Sequence, residues 1–145
     1  MYFYEARIVY QRQTGEENPG KVSENYLIES INPTDCETQL MEHVQPMVFG
    51  NESKVTSVTE RKFYDIFPGT DKEAWYKGGV ELIVMDGEKE KRQKVAILVE
   101  ANDVKDAHNI LSKNLSGLDN EIVSIAKTKI VEVIRASREA DENSN

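Results

Sequence analysis

Glu29 and Glu100 stand at matching points of two similar stretches, YLIESINPTDCETQL at 26–40 and ILVEANDVKDAHNIL at 97–111. Two carboxylates brought together can divide acid and base roles between them. The simpler role is a polar strand end or an acceptor for nearby backbone amides, and the sequence favours that reading. Lys62 and Lys129 form a second matched pair, flanked by Arg61 and Lys127. Four cations near two symmetric points would suit a small anion, although exposed lysines also protect sheet edges from unwanted pairing. Aromatic residues make a third pair. Phe3 and Trp75 fall on the strand face opposite Tyr4 and Tyr76. An exposed Trp75 would mark a surface for a partner or ligand, whereas a covered one would be core.

Other chemistry is absent from the pattern. No G-x-S-x-G nucleophile elbow occurs, and Cys36 has no histidine at activating spacing, so no catalytic residue is assigned. His43 and His108 are each alone on a helical stretch without a second ligand, and Asp71, Asp86, Asp103, Asp106 and Asp119 form no calcium-loop spacing. Gly78-Gly79 lies inside a strand pattern rather than a phosphate loop, and marks close backbone approach or a bulge. No metal and no cofactor is expected.

These residues need a frame, and the frame is written twice. Strand alternation places Tyr4, Ala6, Ile8 and Tyr10 on one face of 2–12, and a second strand follows at 22–31. Asn32-Pro33 begins a helix, with an acceptor at the cap and a proline where no amide hydrogen is needed. Cys36, Leu40, Val44 and Met47 give that helix its buried stripe. A long extended segment, KVTSVTERKFYDIF at 54–67, ends at Pro68-Gly69. The second half repeats the order. Tyr76, Val80, Leu82 and Val84 share a strand face, and a hairpin opens at Asp86-Gly87 with a charged tip running to Lys91. VAILV at 95–99 is apolar on both faces and belongs in a sheet interior. Asp103 caps a helix whose stripe is Ala107, Leu111 and Leu115, and EIVSIAKTKIVEVI at 121–134 is again long and extended.

Position by position, Leu27 matches Leu98, Asp35 matches Asp106 and Leu40 matches Leu111, all separated by 71 residues. In the last strands the separation is 67, pairing Ser57 with Ser124 and Lys62 with Lys129. The expected fold is therefore α+β: a tandem ββαβ duplication giving a mostly antiparallel six-stranded sheet assembly, continuous or strongly bent, with two helices packed on it about a pseudo-twofold axis. Residues 1–69 form the first repeat and 70–136 the second, sharing one core, and 137–145 make a flexible polar tail. Alternation slips within both long segments, near 59–62 and near 126–129. Each is expected to bend there, beginning in its own repeat and finishing against the other.

Composition narrows the partners. A formal charge of −8, from 26 acids and 18 bases, repels phosphate backbones and disfavours nucleic acid. No apolar run is long enough to span a bilayer, so no membrane partner is expected. A single cysteine excludes an intramolecular disulfide and fits the reducing cytoplasm.

The opening YFYEARI strand, the KVSENYLIES and FYDIF segments and WYKGGVELIVMDGEKEKRQK together resemble an uncharacterised family of unknown-function domains found in gut-type bacteria and their phages. The likeness runs to about residue 135. It implies a small, cytoplasmic, phage-related protein that is not an enzyme, and it carries no established site residues. The expected function is a non-enzymatic binding or adaptor protein acting through a protein partner or self-association. Sequestration of a small anionic metabolite or nucleotide signal is the alternative, and a nucleic-acid accessory factor the next.

Overall fold

A computed structural model of the chain describes residues 1–12 and 20–136. The turn expected at Asn18-Pro19 and the polar tail at 137–145 lie outside the described residues. The chain divides into two compact units: Met1–Arg61 together with the segment from Ile130 on, and Lys62–Lys129.

In the first unit, β1 (Tyr2–Arg12) pairs antiparallel with β2 (Gly20–Ser30) without a slip, from Tyr2 opposite Ser30 to Arg12 opposite Gly20. The alternation does what it should: Tyr4, Ala6, Ile8 and Tyr10 are buried. Helix α1 (Pro33–Val44) starts where Asn32 accepts a 2.8 Å hydrogen bond from the Asp35 amide, with proline in the first turn. It lays Cys36, Leu40 and Val44 against that strand face to close a core with Tyr26 and Ile28. A 3-10 turn, Gln45–Met47, then leads into β3 (Val48–Arg61), which lies antiparallel beside β1 on the side away from β2. The β2–α1–β3 connection is thus a split crossover with β1 between its two strands.

The second unit repeats this order. β5 (Ala74–Asp86) and β6 (Lys89–Ala101) pair along their full length, α2 (Val104–Asn114) follows, and β7 (Asn120–Lys127) returns beside β5. Asp103 caps α2 by accepting from the Asp106 amide at 2.7 Å, while Asp106 accepts from the Asn102 amide at 2.9 Å. The pair satisfies two amides at the start of the helix, with Asp106 reaching back to the residue before the cap. The Asn102 amide first, and Lys72 next, hold the Asp106 carboxyl below the ordinary aspartate range. Its contribution is therefore present above that range and is lost as pH falls through the depressed value. Tyr76, Val80, Leu82, Ile97, Val99 and Ala101 meet Ala107, Leu111 and Leu115 in the core.

The two glycines inside β5 are explained by what lies next to them. A Cβ on Gly78 would come 2.7 Å from Leu111 Cδ1, so α2 packs directly on bare backbone there. One on Gly79 would meet Ser124 Oγ at 2.5 Å, beside the register slip between Gly79 and Val80.

The long extended segments break where their alternation slips. β3 stops at Arg61, and after Lys62–Tyr64 the chain resumes as β4 (Asp65–Phe67), which runs parallel to β6. Likewise β7 stops at Lys127, and β8 (Ile130–Ile134) runs parallel to β2. The last strand of each sequence half is thus delivered to the other unit. This corrects the expectation of one six-stranded, mostly antiparallel assembly. The fold is α+β with two mixed sheets, whose order among the described residues is β3-β1-β2-β8 and β4-β6-β5-β7. Breaking each long strand turns one element into two, and the second piece adds in the parallel direction. VAILV does sit inside its sheet, between β4 and β5, with Ile97, Leu98 and Val99 fully buried.

Two boundaries differ as well. β3 begins at Val48 rather than near 54, because Gly50 adopts a left-handed φ of 74° and the ladder tolerates an irregularity between Tyr10 and Arg12. The charged hairpin tip is also tighter than expected. Asp86 faces Lys89 across two residues, with Gly87 at φ 67°, a conformation suited to the first position of a II′ turn. Val84, expected to be buried, is 52% exposed, because β7 covers β5 only as far as Leu82 and the hairpin projects beyond it.

Candidate functional site

The matched acids sit at the ends of β2 and β6, and both are backbone acceptors. Glu29, 6% exposed, takes a 2.8 Å hydrogen bond from the Ala136 amide. Glu100 takes one of 3.0 Å from the Gly69 amide. Ala136 lies two residues past the end of β8, and Gly69 two past the end of β4. Each acid therefore fastens the strand that arrives from the other half of the chain. A carboxylate accepting from an amide is among the stronger hydrogen bonds, and a buried one requires such a partner. Each is engaged as a backbone acceptor within its own unit.

Phe3 lies opposite Glu29 on one side and opposite Arg61 on the other, so three of the expected site residues share one row across β3, β1 and β2. Arg135 extends that row. Its guanidinium lies 5.2 Å from the Phe3 ring centroid, and its Nε is 3.7 Å from Glu29. Arg61 is tied to Glu5 at 3.1 Å, and Glu5 also accepts from Asn25 at 2.7 Å. In the second unit Trp75 lies opposite Glu100, as Phe3 does opposite Glu29. Trp75 is 5% exposed, which removes it as a surface anchor. Its carbonyl accepts from both the amide and the hydroxyl of Thr128 at 2.9 Å, so this residue too holds the chain where it leaves β7. Lys62, Lys127 and Lys129 are exposed and make no ion pair among the described residues.

One polar cluster escaped the sequence reading. Glu24 accepts from the Tyr10 hydroxyl at 2.5 Å and from the Tyr26 hydroxyl at 3.1 Å, with Arg12 3.9 Å away. Burial, then Glu24, pushes the Tyr10 phenol up to about 12 and raises Tyr26 as well. Phenols so held are donors to a carboxylate, not proton carriers near neutral pH. Their stabilising bonds are fully present below the ordinary tyrosine value of about 10 and are lost as pH rises through the raised ones. A phenolate absorbance titration should show a late phase near pH 12, and Glu24→Gln should move it toward lower pH. Ionisation of all six tyrosines in a single step near pH 10 would show that Glu24 does not hold them.

Next to this cluster, the His43 ring packs edge-on against Tyr26, and its Nε2 lies 3.2 Å from Glu132 of β8. Cys36 is fully buried, and burial ahead of Glu37 and Asp35 pushes its thiol up to about 11, so it is an unreactive core residue at neutral pH.

Among the described residues no group of three or more His, Cys, Asp or Glu side chains is arranged to hold a metal ion, and no helix is long and apolar enough to cross a membrane. A largely apolar open groove lies between α2 and β7. Val104, Lys105, His108 and Asn109 line it from the helix side, and Ile122, Val123, Ser124 and Ile125 from the strand. β7 is an edge strand, and Val123, at the slipped position, is 61% exposed. The sequence hides this groove, since its helix and strand halves lie on different elements.

No curated protein matches the chain, and neither does any solved structure. Residues 2–136, both units and both matched acids included, fit the pattern described as Domain of unknown function (DUF4494), and the chain belongs to that family.

Proposed function

We propose that this chain is a non-enzymatic binding module that takes up a protein segment by strand addition along β7. The carrying observation is the coincidence of an open strand edge with the apolar groove beside it. An edge strand offers backbone donors and acceptors to an incoming strand, while flanking pockets select side chains. Here Val104, Ile122, Val123 and Ile125 supply the apolar contacts, with Lys105 and His108 at the rim. The reading also includes an origin by duplication of one ββαβ half. The repeated element order, the paired caps Asn32 and Asp103 and the paired amide acceptors Glu29 and Glu100 support it. A phage-related, cytoplasmic setting belongs to the same proposal and rests on the resemblance and the single cysteine.

The test is a photo-crosslinking residue at position 123 of the full chain, with a control at the exposed Glu37. A discrete adduct at 123 that is absent at 37 is expected. Val123→Lys should weaken binding of that adducted partner at least about tenfold, equivalent to about 1.4 kcal/mol. Equal labelling at both positions, or none at 123, overturns the reading.

Capture of a small anion is favoured by a different observation. Lys21 and Lys54, with Ser53 and Thr56, line an open depression of about 590 Å³ in the first unit. A nucleotide bound there at about 100 times its dissociation constant should stabilise the chain by about 2.7 kcal/mol, readable as a thermal shift.

A further inference from the structure

The fourth strand of the first unit, β8, follows β7 after only Thr128 and Lys129. Residues within 1–61 hold β8. Its ladder runs along β2, from Asn25 opposite Ile130 to Ile28 opposite Ile134. Ile130 is buried, and Ile134 packs against the core that contains Cys36 and Leu40. Polar side chains fix its position: Glu29 meets the Ala136 amide and Arg135, and His43 meets Glu132. The slot on β2 is thus complementary in shape, ladder and charge to this one segment.

We propose that the slot is also a receptor for the β8 of a second copy, so that two chains exchange these strands reciprocally. The exchange is isologous and closed: each first unit receives the other chain's Ile130–Ile134, with the same register and the same Glu29 and His43 contacts. Since both arrangements make the same contacts, their ratio is set by protein concentration against the effective concentration of the tethered strand, on the order of millimolar for a short link. The connection at 128–129 biases that ratio, because a short hinge resists folding back and a longer one relaxes it. The proposal is independent of what binds β7.

Two full-length chains test it, one carrying Asn25→Cys and the other Ile130→Cys, which are register partners on adjacent strands. After unfolding together and refolding at high concentration under mild oxidation, a covalent dimer containing one of each is expected. In parallel, unmutated chains of natural and heavy-isotope composition, refolded together, should give mixed-mass dimers by native mass spectrometry. Insertion of Gly-Gly-Ser after Lys129 should lower the dimer fraction several-fold, and deletion of Lys129 should raise it. Only monomers at every concentration overturn the proposal. So do dimers that form without the 25–130 link and are unaffected by hinge length. Such dimers lost in Val123→Lys would instead assign self-association to the β7 groove.

Discussion

Leu111→Ala is expected to cost about 2–5 kcal/mol on its own, and clearly less in a chain that already carries Gly78→Ala. The first figure is the ordinary loss for a fully buried leucine, the removed transfer energy plus the cavity left behind. The second expectation comes from the 2.7 Å approach between Leu111 Cδ1 and the position a Cβ would take on Gly78. With leucine in place, alanine at 78 must push α2 or force the leucine from its rotamer, at about 1–3 kcal/mol. With leucine shortened, the added methyl fills part of the space instead. The two changes should therefore couple by about 0.5–3 kcal/mol in a double-mutant cycle, measured by urea or thermal unfolding. Strict additivity would mean that helix and strand are not in contact at this point. For a unit of this size, each kcal/mol corresponds to roughly 4–8 °C in Tm, so the effects lie well outside measurement error.

Glu29→Ala should cost about 1–3 kcal/mol and loosen one strand selectively. The substitution leaves the Ala136 amide without its acceptor and Arg135 without its ion partner, and stranded groups of this kind set the penalty. Glu29→Gln keeps an oxygen acceptor and removes the charge, so it should lose less. Hydrogen exchange gives the discriminating readout. Amides of β8, and those of β2 that face it, should lose protection, while α2 and the β5–β6 ladder keep theirs. Glu100→Ala should do the converse, exposing Asp65–Phe67 and sparing β8. A uniform loss of protection across both units would show that the two acids are not local fasteners.

Much of this arrangement could be read from residue types. The period-two pattern from Tyr4 to Tyr10 located a core face. Asn32-Pro33 and Asp103 marked helix starts to the residue, and the double apolar face of VAILV placed β6 inside its sheet. Glu29 and Glu100 were legible as matched positions, with a polar strand end or amide acceptance as the favoured role. What escaped depends on which elements become neighbours. Three residues of β4 and five of β8 carry no local signal of strand direction, so their parallel pairing was invisible. The Glu24 cluster joins a tyrosine two residues away to one across a hairpin, a meeting that only the register creates. Trp75 was ambiguous because a strand's second face is solvent or interior according to what covers it. The β7 groove is divided between a helix and a strand that share no motif.

The crossing of the last strand also has a consequence for synthesis. Nascent chains are made from the N-terminus, and an early domain ordinarily folds as soon as it emerges. In this chain the earlier-made unit needs residues 130–136, which are the last of its parts to be translated. Until then β2 has one bare flank, the condition in which strands find wrong neighbours. The later-made unit, spanning 62–129, has all its strands before β8 emerges and should complete its ladders first.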